Sequence, residues 1–343
     1  MKVEADQDVA GARVKNLEVP LPPMPALQRP LGRHLGTGPG LELAIADAQR
    51  IGCTAVQVFP GNPKGWHYTP LPPERAAHAL AAWAEAGVRP LTIHAPYIIN
   101  LASPEDRLHA LSQQGVRNAL THARDLGAKA VVVHLGSHKG TGHQAGAARL
   151  IAACAAALEG LPDDLYLLLE NNVGAGNSMG GTLELLGGLL RDAAHPRLGV
   201  CIDSAHLWGA GYDLTMSDGV ERALEEIDQH IGIANVRVLH ANDSPVPMGS
   251  HRDQHANLGQ GQIGYEGLAA LLSHPALATI PAVLETPDGG VEEEIIRVRV
   301  AALLCAGDAE GARALQEAAL PVEGKASDRA APIRNDPPTA VGW

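Results

Sequence analysis

The sequence predicts a (β/α)₈ barrel, an α/β fold of the TIM-barrel type, on three observations. Eight short apolar runs recur along the chain, Ala-rich segments of helical period separate them, and the runs carry little polar alternation. Strands of this kind are buried on both faces, as in a parallel sheet covered by helices. Eight strand–helix units in about 275 residues match a closed barrel better than an open sheet.

The predicted strands are residues 31–36, 54–59, 90–95, 129–134, 165–170, 198–203, 236–240 and 280–285. Segments with apolar residues at helical spacing follow them, such as LELAIADAQRIG after the first strand and HQAGAARLIAACAAALEG after the fourth. A doubly wound sheet would favour a glycine fingerprint after the first strand. Gly36, Gly38 and Gly40 are only a weak match to that fingerprint, so the barrel is the better prediction.

The chain of 343 residues divides into a barrel and two extensions. We predict a proline-rich N-terminal extension over residues 1–29, the barrel over 30–305, and a C-terminal helix with a flexible tail over 306–343. The four cysteines are far apart and form no CxxC pair. This spacing is typical of a protein in the reducing cytoplasm rather than of one stabilised by disulfides. No apolar run is long enough to predict a membrane helix.

The composition excludes several classes of protein. With 45% hydrophobic and 19% charged residues, the chain is typical of a globular protein rather than a disordered or fibrous one. A formal net charge of −12 argues against a protein that holds nucleic acid by a broad basic surface. The 16 histidines outnumber the aromatic residues, and histidine is the most common metal ligand.

Six potential metal ligands stand at or beside the C-terminal ends of predicted strands. They are His94, His134, Glu170, Asp203, His240 and Glu285. In a barrel these strand ends converge on one mouth, where active sites are found. A buried group of carboxylates and imidazoles without countercharge would be costly, so we expect cations there.

Two local spacings add three more candidates. His206 follows Asp203 by three residues, so a first helical turn would place both side chains on one side. Asp253 and His255 are separated by one residue, so an extended loop would point both the same way. Nine ligands exceed the needs of one zinc ion, and His with carboxylates suits zinc or manganese. Three metals is the natural count, and phosphoryl chemistry is the expected class.

Long motifs in the chain resemble the endonuclease IV family of apurinic/apyrimidinic endonucleases. These motifs are HAPYIINLASP (94–104), VVVHLGSH (131–138), LLLENNVGAG (167–176), GVCIDSAHLWGAGYD (199–213), LHANDSPVPMGSHRDQHANLGQGQIG (239–264) and LETP (284–287). The resemblance runs from about residue 31 to about residue 305. It implies a xylose-isomerase-like TIM barrel with three Zn²⁺ ions, of which one or more could be replaced by Mn²⁺.

The resemblance also implies an activity and a division of the ligands. The expected reaction is cleavage of the DNA backbone 5′ to an abasic site in base excision repair, leaving a 3′-hydroxyl and a 5′-deoxyribose phosphate. Glu170 is the expected catalytic residue, bridging two metals and orienting the attacking water. The implied metal groups are His94, His134 and Glu170; Glu170, Asp203, His240 and Glu285; and His206, Asp253 and His255.

Three residues match positions that the family inserts into DNA beside the abasic nucleotide: Tyr97, Ile98 and Lys64. A planar Tyr and an apolar Ile can replace stacking lost at a site without a base. Lys64 stands where the family more often carries an Arg, and it lacks the planar guanidinium. The resemblance thus implies double-stranded DNA with an abasic site as partner. We further expect a monomer in the bacterial cytoplasm and nucleoid, away from membranes.

Two alternatives remain open at this point. A xylose-isomerase-like sugar isomerase or epimerase would use one or two divalent metals and need only about four of the nine ligands. A non-catalytic protein that binds abasic DNA would keep the fold without turnover. The group His206, Asp253 and His255 discriminates against the first alternative, and the presence of all nine ligands argues against the second.

Overall fold

The fold is a closed barrel of eight parallel strands, seen in a computed structural model that describes residues 20–38, 40–89 and 91–320. Each strand pairs in parallel with the next, and the last pairs with the first. The strands are β1 (Leu31–Leu35), β2 (Ala55–Val58), β3 (Leu91–His94), β4 (Ala130–His134), β5 (Tyr166–Glu170), β6 (Leu198–Asp203), β7 (Val236–His240) and β8 (Ala282–Leu284). The predicted TIM barrel is therefore confirmed.

Helices follow the strands and cover the outside of the barrel. Within the described ranges they are α1 (Leu41–Arg50), α2 (Pro73–Ala86), α3 (Asp106–Asp125), α4 (His143–Leu158), α5 (Leu183–Ala193), α6 (Ser204–Ala210), α7 (Ser217–His230), α8 (Gly264–Ser273), α9 (Val291–Cys305) and α10 (Ala309–Ala319). Two short 3₁₀ turns precede β7 and β8, at Ile233–Asn235 and Pro275–Leu277. None of the helices in the described part of the chain is long and apolar enough to cross a membrane.

The core has two layers because successive side chains of a strand point to opposite faces. One layer fills the barrel interior, and its members are Ala130, Val132, Leu168, Cys201, Val238 and Val283. The other layer lies between the strands and the surrounding helices, and includes Val131 and Val133 of β4. The unbroken apolar strands are explained by this arrangement, since both faces of each strand are buried.

The described parts of both extensions pack on the barrel. Leu21, Met24 and Leu27 are partly buried against the outer core layer, and Arg29 donates a hydrogen bond to the carbonyl of Leu277 at 2.6 Å. At the other end, α10 packs against α9 and α8. The predicted N-terminal extension and C-terminal tail otherwise fall on residues 1–19 and 321–343, which lie outside the described residues.

Candidate metal centre

The barrel mouth collects its polar side chains by strand periodicity. Glu170 lies two residues beyond Leu168 and His134 lies two beyond Val132, so each shares the inward direction of a residue that fills the barrel interior. The same relation links Asp203, His240 and Glu285 to inward residues of β6, β7 and β8. At each of these strand ends, the next inward-facing position therefore carries an imidazole or carboxylate, which lies above the interior layer.

Helix capping fixes the position of His206 relative to Asp203. Asp203 is the N-cap of α6, and its Oδ1 accepts a hydrogen bond of 2.8 Å from the His206 backbone N–H. This cap turns the chain sharply after β6, so both side chains face the mouth. The spacing therefore acts through the N-cap as well as through the helical turn.

The loop after β7 supplies Asp253 and His255, and a buried carboxylate organises it. Asp243 accepts hydrogen bonds from five backbone N–H groups, those of Ser244, Gly259, Gly261, Ile263 and Gly264. The backbones of Asp243 and Ala256 also pair with each other. Burial raises the pKa of Asp243, while these N–H donors act in the opposite direction. A long loop is thereby held in one conformation beside the mouth.

The nine predicted side chains come together in overlapping groups. Candidate ligand atoms lie within 4.8 Å of one another in each of three sets: His94, His134 and Glu170; Glu170, Asp203, His240 and Glu285; and Asp203, His206 and His255. Asp253 joins the third set, because its Oδ1 is 3.2 Å from the Nε2 atoms of both His206 and His255. Asp203 thus belongs to both the second and the third set, whereas the division implied by the family resemblance placed it in the second alone.

Glu170 lies at the middle of the cluster. Its Oε2 is 3.4 Å from His94 Nε2 and 3.6 Å from His134 Nε2. Its Oε1 is 3.0 Å from His240 Nδ1 and 3.4 Å from the ring of His206. A single carboxylate therefore faces side chains of all three sets, although it is only 1% exposed.

Opposing charges outweigh burial in the pKa values of several members of the cluster, whereas burial lowers the pKa of His134. Burial alone would raise the pKa of Glu170 and Glu285, but the facing imidazoles hold both pKa values well below the usual range. Burial alone would lower the pKa of His206 and His255. The facing carboxylates instead raise the pKa of His206 well above its usual value and that of His255 to about 9. The centre therefore attracts positive charge, and a divalent cation competes with protons for these positions.

Three of the five candidate imidazoles are oriented as metal ligands usually are, with one nitrogen bonded to a backbone carbonyl. The Nδ1 atoms of His94, His206 and His255 bond to the backbone carbonyls of Ala95, Asn171 and Glu285 respectively. Each of these rings therefore turns Nε2 towards the cluster, where it would offer a lone pair to a cation that displaces the proton. The Oε2 of Glu170 and the Nε2 of His255 are directed at other candidate ligands, at 3.4 Å from His94 Nε2 and 3.2 Å from Asp253 Oδ1 respectively. This donor set fits divalent metal ions.

Three polar residues that were not predicted orient the candidate ligands. The buried Gln57 of β2 donates to Glu285 Oε1 at 2.7 Å, and its Oε1 lies 3.0 Å from His240 Nε2. Asn171 accepts from the Asp203 backbone N–H at 2.7 Å. Asn242 donates to Asp203 Oδ2 at 2.6 Å and accepts from the Glu285 backbone N–H at 2.8 Å. An amide inside the otherwise apolar segment AVQVF was the available sequence signal for Gln57.

The three predicted DNA contacts occupy neighbouring loops at the mouth. Tyr97 is half-buried, and its ring lies 5.3 Å from that of His94 and 5.8 Å from that of His134. Burial first, and then the nearby carboxylates, raise the pKa of Tyr97 well above its usual value, so the phenol stays neutral. Ile98 is half-buried and Lys64 is exposed. The Tyr97 backbone N–H donates to the carbonyl of Pro63, which joins the two loops.

Fold and site together define the class of the chain. A family model described as a xylose isomerase-like TIM barrel matches residues 45–304. A protein from Methanosphaerula palustris named "Probable endonuclease 4" is 37% identical over 273 residues, which are 78% of this chain and 96% of that protein. The chain belongs to the endonuclease IV family.

Solved structures agree with this membership. Endonuclease IV from Thermus thermophilus superposes with a TM-score of 0.73 and 33% sequence identity, over 81% of this chain and 99% of that chain. A D-tagatose 3-epimerase-like protein superposes with a TM-score of 0.59 but 20% identity, over 79% of this chain and 94% of that chain. The second likeness shows the shared barrel alone.

Proposed function

We propose that the chain is a metal-dependent apurinic/apyrimidinic endonuclease of base excision repair. The reaction is hydrolysis of the phosphodiester 5′ to an abasic site in duplex DNA, which leaves a 3′-hydroxyl and a 5′-deoxyribose phosphate. The observation that carries this proposal is the convergence of nine candidate ligands in three overlapping sets around Glu170. Membership of the endonuclease IV family supports the choice of substrate.

The three sets would hold three Zn²⁺ ions per chain, with Mn²⁺ as a substitute at one or more of them. Such ions, when bound, polarise the phosphoryl oxygen and stabilise the leaving alkoxide. The residues of the chain do the positioning. Gln57 and Asn242 hold Glu285 and Asp203 in place, and the backbone carbonyls described above fix the tautomers of three imidazoles.

Glu170 is the proposed catalytic residue. It contacts imidazoles of all three sets, and its low pKa keeps the carboxylate ionised at neutral pH. An ionised carboxylate at this position accepts a hydrogen bond from the attacking water and orients it towards phosphorus. Glu170 would accept the proton that this water loses as its oxygen bonds to phosphorus, and the P–O bond to the 3′ oxygen would break, with solvent protonating that oxygen.

Tyr97 and Ile98 are proposed to fill the space beside the extruded abasic nucleotide, and Lys64 to contact the backbone close by. An abasic nucleotide leaves the duplex at low cost because it has little stacking to lose. The net charge of −12 is compatible with DNA, because three divalent ions would reduce it to about −6 and concentrate positive charge at the mouth. We expect modest non-specific affinity and recognition concentrated at the lesion.

A sugar isomerase or epimerase of the same barrel class is the alternative function. It would need one or two metals, and therefore about four ligands. The third set, in which Asp253 lies 3.2 Å from both His206 and His255, has no role in such an enzyme. The complete ligand set likewise argues against a non-catalytic protein that only binds abasic DNA.

The test is incubation of the zinc-loaded protein with a duplex that contains one tetrahydrofuran abasic analogue, with and without chelator. We expect chelator-sensitive cutting immediately 5′ of the analogue. An uncut strand in the metal-loaded sample contradicts the proposal. The variant Glu170→Gln should lower cleavage by about 10²- to 10⁴-fold while keeping most of the binding to damaged DNA. Glu225→Gln, on the exposed face of α7, is the matched control and should cleave normally.

A further inference from the structure

The loop between β8 and α9 begins with a candidate ligand and is held from outside the barrel by one buried arginine. Arg33 lies on β1 opposite Leu284 of β8, the residue that precedes Glu285. His34 points into the barrel towards Glu285, so the neighbouring Arg33 points outwards, beneath the loop. Arg33 is 1% exposed, which is rare for a charged residue and requires paired partners.

The guanidinium of Arg33 contacts three successive loop residues. Its Nη1 donates to Thr286 Oγ1 at 3.0 Å, and its Nη2 donates to the Thr286 carbonyl at 2.8 Å. The Nη2 group also reaches the Pro287 carbonyl at 3.3 Å and Asp288 Oδ1 at 2.8 Å. The backbone just after Glu285 is therefore fixed at several points by one rigid, planar group.

Helix α9 completes the anchor with a second ion pair. Glu294, which is also buried, lies 3.0 Å from Arg33 Nη1 and accepts from the Gly289 backbone N–H at 2.7 Å. Arg297 donates to Glu294 Oε1 at 2.5 Å and to the Pro287 carbonyl at 2.7 Å. The loop is thus enclosed between β1 and α9 by arginines and carboxylates that pair with one another.

We propose that Arg33 is a positioning residue, which holds the β8–α9 loop so that Glu285 keeps its place in the metal centre. Glu285 is held from inside by Gln57 and Asn242, and from outside through Thr286 by Arg33. The hydrogen bonds and ion pairs of the Arg33 guanidinium go to Glu294 and to loop residues 286–288, none of which is a candidate ligand. Its effect on the centre is therefore indirect, through the backbone that carries Glu285. This inference rests on the proposed function, because it assumes that Glu285 binds metal.

An apolar residue at position 33 would fill the same strand–helix interface, but it could not form hydrogen bonds to the β8–α9 loop. A lysine would keep the charge, yet its single ammonium cannot span the Thr286 carbonyl, Asp288 and Glu294 together. The series Arg33→Met and Arg33→Lys therefore separates loss of charge from loss of the planar contact. The matched control is Arg29→Met, which removes an arginine that is 4% exposed and bonded to Leu277, before the other end of β8.

The test measures zinc retention by titration with a competing chelator, together with zinc content and melting temperature. Arg33→Met should weaken retention by about 10- to 100-fold, the range known for residues that orient metal ligands. Arg33→Lys should fold and give an intermediate loss. Arg29→Met should lower the melting temperature while keeping the retention of the original chain. The positioning role is overturned if Arg33→Lys retains zinc as well as the original chain does. It is also overturned if Arg29→Met loses as much zinc retention as Arg33→Met.

The two proposals fail in different ways. Chelator competition needs no DNA, so it reports on Arg33 whether or not the chain cuts an abasic duplex. If the original chain holds zinc and Arg33→Met loses it, but no abasic cleavage occurs, the proposed function is wrong and the positioning role stands. If cleavage occurs and both Arg33 variants hold zinc normally, the positioning role is wrong and the function stands. An original chain that binds no zinc contradicts both.

Discussion

Replacing Asn242 by leucine should disturb two candidate ligands at once. The Asn242 side chain donates to Asp203 Oδ2 at 2.6 Å and accepts from the Glu285 backbone N–H at 2.8 Å, and it is fully buried. Leucine has a similar volume and can make neither bond. A hydrogen bond to a charged group contributes about 1.5–3 kcal/mol and a neutral one about 0.5–1.5 kcal/mol. We therefore expect the free energy of unfolding to fall by about 2–4 kcal/mol.

The same substitution should weaken zinc retention by about 10- to 100-fold, because Asp203 loses the donor that orients it. The free energy is measured by urea denaturation of the metal-free protein, and retention by chelator competition. Asn118→Leu is the control, because the Asn118 side chain bonds to Gln114 of the same helix, α3, rather than to a candidate ligand. If Asn242→Leu unfolds within about 0.5 kcal/mol of the original chain and retains zinc equally well, the reasoning is refuted.

Three further expectations concern single substitutions. Burial lowers the pKa of His122 to about 4, so the unfolded chain binds more protons between pH 6.5 and 4 and stability falls as the pH drops through that window. His122→Leu should remove about 3 kcal/mol of that fall, measured by urea denaturation at pH 7 and pH 4. An equal fall in unfolding free energy in the variant and the original chain contradicts this. Leu168→Ala, inside the barrel, should cost about 3–5 kcal/mol of unfolding free energy, and the half-exposed Leu185→Ala much less. A cost of less than about 1 kcal/mol for Leu168→Ala would mean that the interior repacks. Tyr97→Ala should weaken binding to the tetrahydrofuran duplex by about 1–3 kcal/mol at unchanged zinc content, measured by fluorescence anisotropy. Tyr166→Ala, at the opposite end of the barrel, is its control, and equal losses in both would exclude a specific contact.

The barrel could be predicted from the sequence because its signal is local. Each strand is a short apolar run, and each run predicted a strand that the structure contains to within about two residues. The convergence of strand ends followed from topology, since parallel strands place their C-terminal ends at one mouth. That these residues bind metal stays a prediction, as do the three DNA contacts.

The residues that hold the candidate ligands could not be predicted, because their roles depend on contacts between distant segments. Asn242 acts on Glu285, 43 positions away, and Arg33 acts on Thr286, 253 positions away. An Arg within the first strand looks like an interruption of an apolar run until β8 and α9 are placed beside it. Asp253 is a different case: its spacing from His255 made it a candidate, but its contacts with His206 and His255 depend on the fold of the loop around Asp243.

Because β8 closes the barrel, the ligand set of the candidate metal centre is completed only late in the synthesis of the chain. The candidate ligands are spread from residue 94 to residue 285, and ribosomes release the chain from its N-terminus. A nascent chain that has emerged as far as β5 carries only the set His94, His134 and Glu170. Glu285 arrives last, on the strand that pairs with both β7 and β1. The complete centre therefore forms only once the whole barrel has been synthesised, so an unfinished chain lacks the full ligand set.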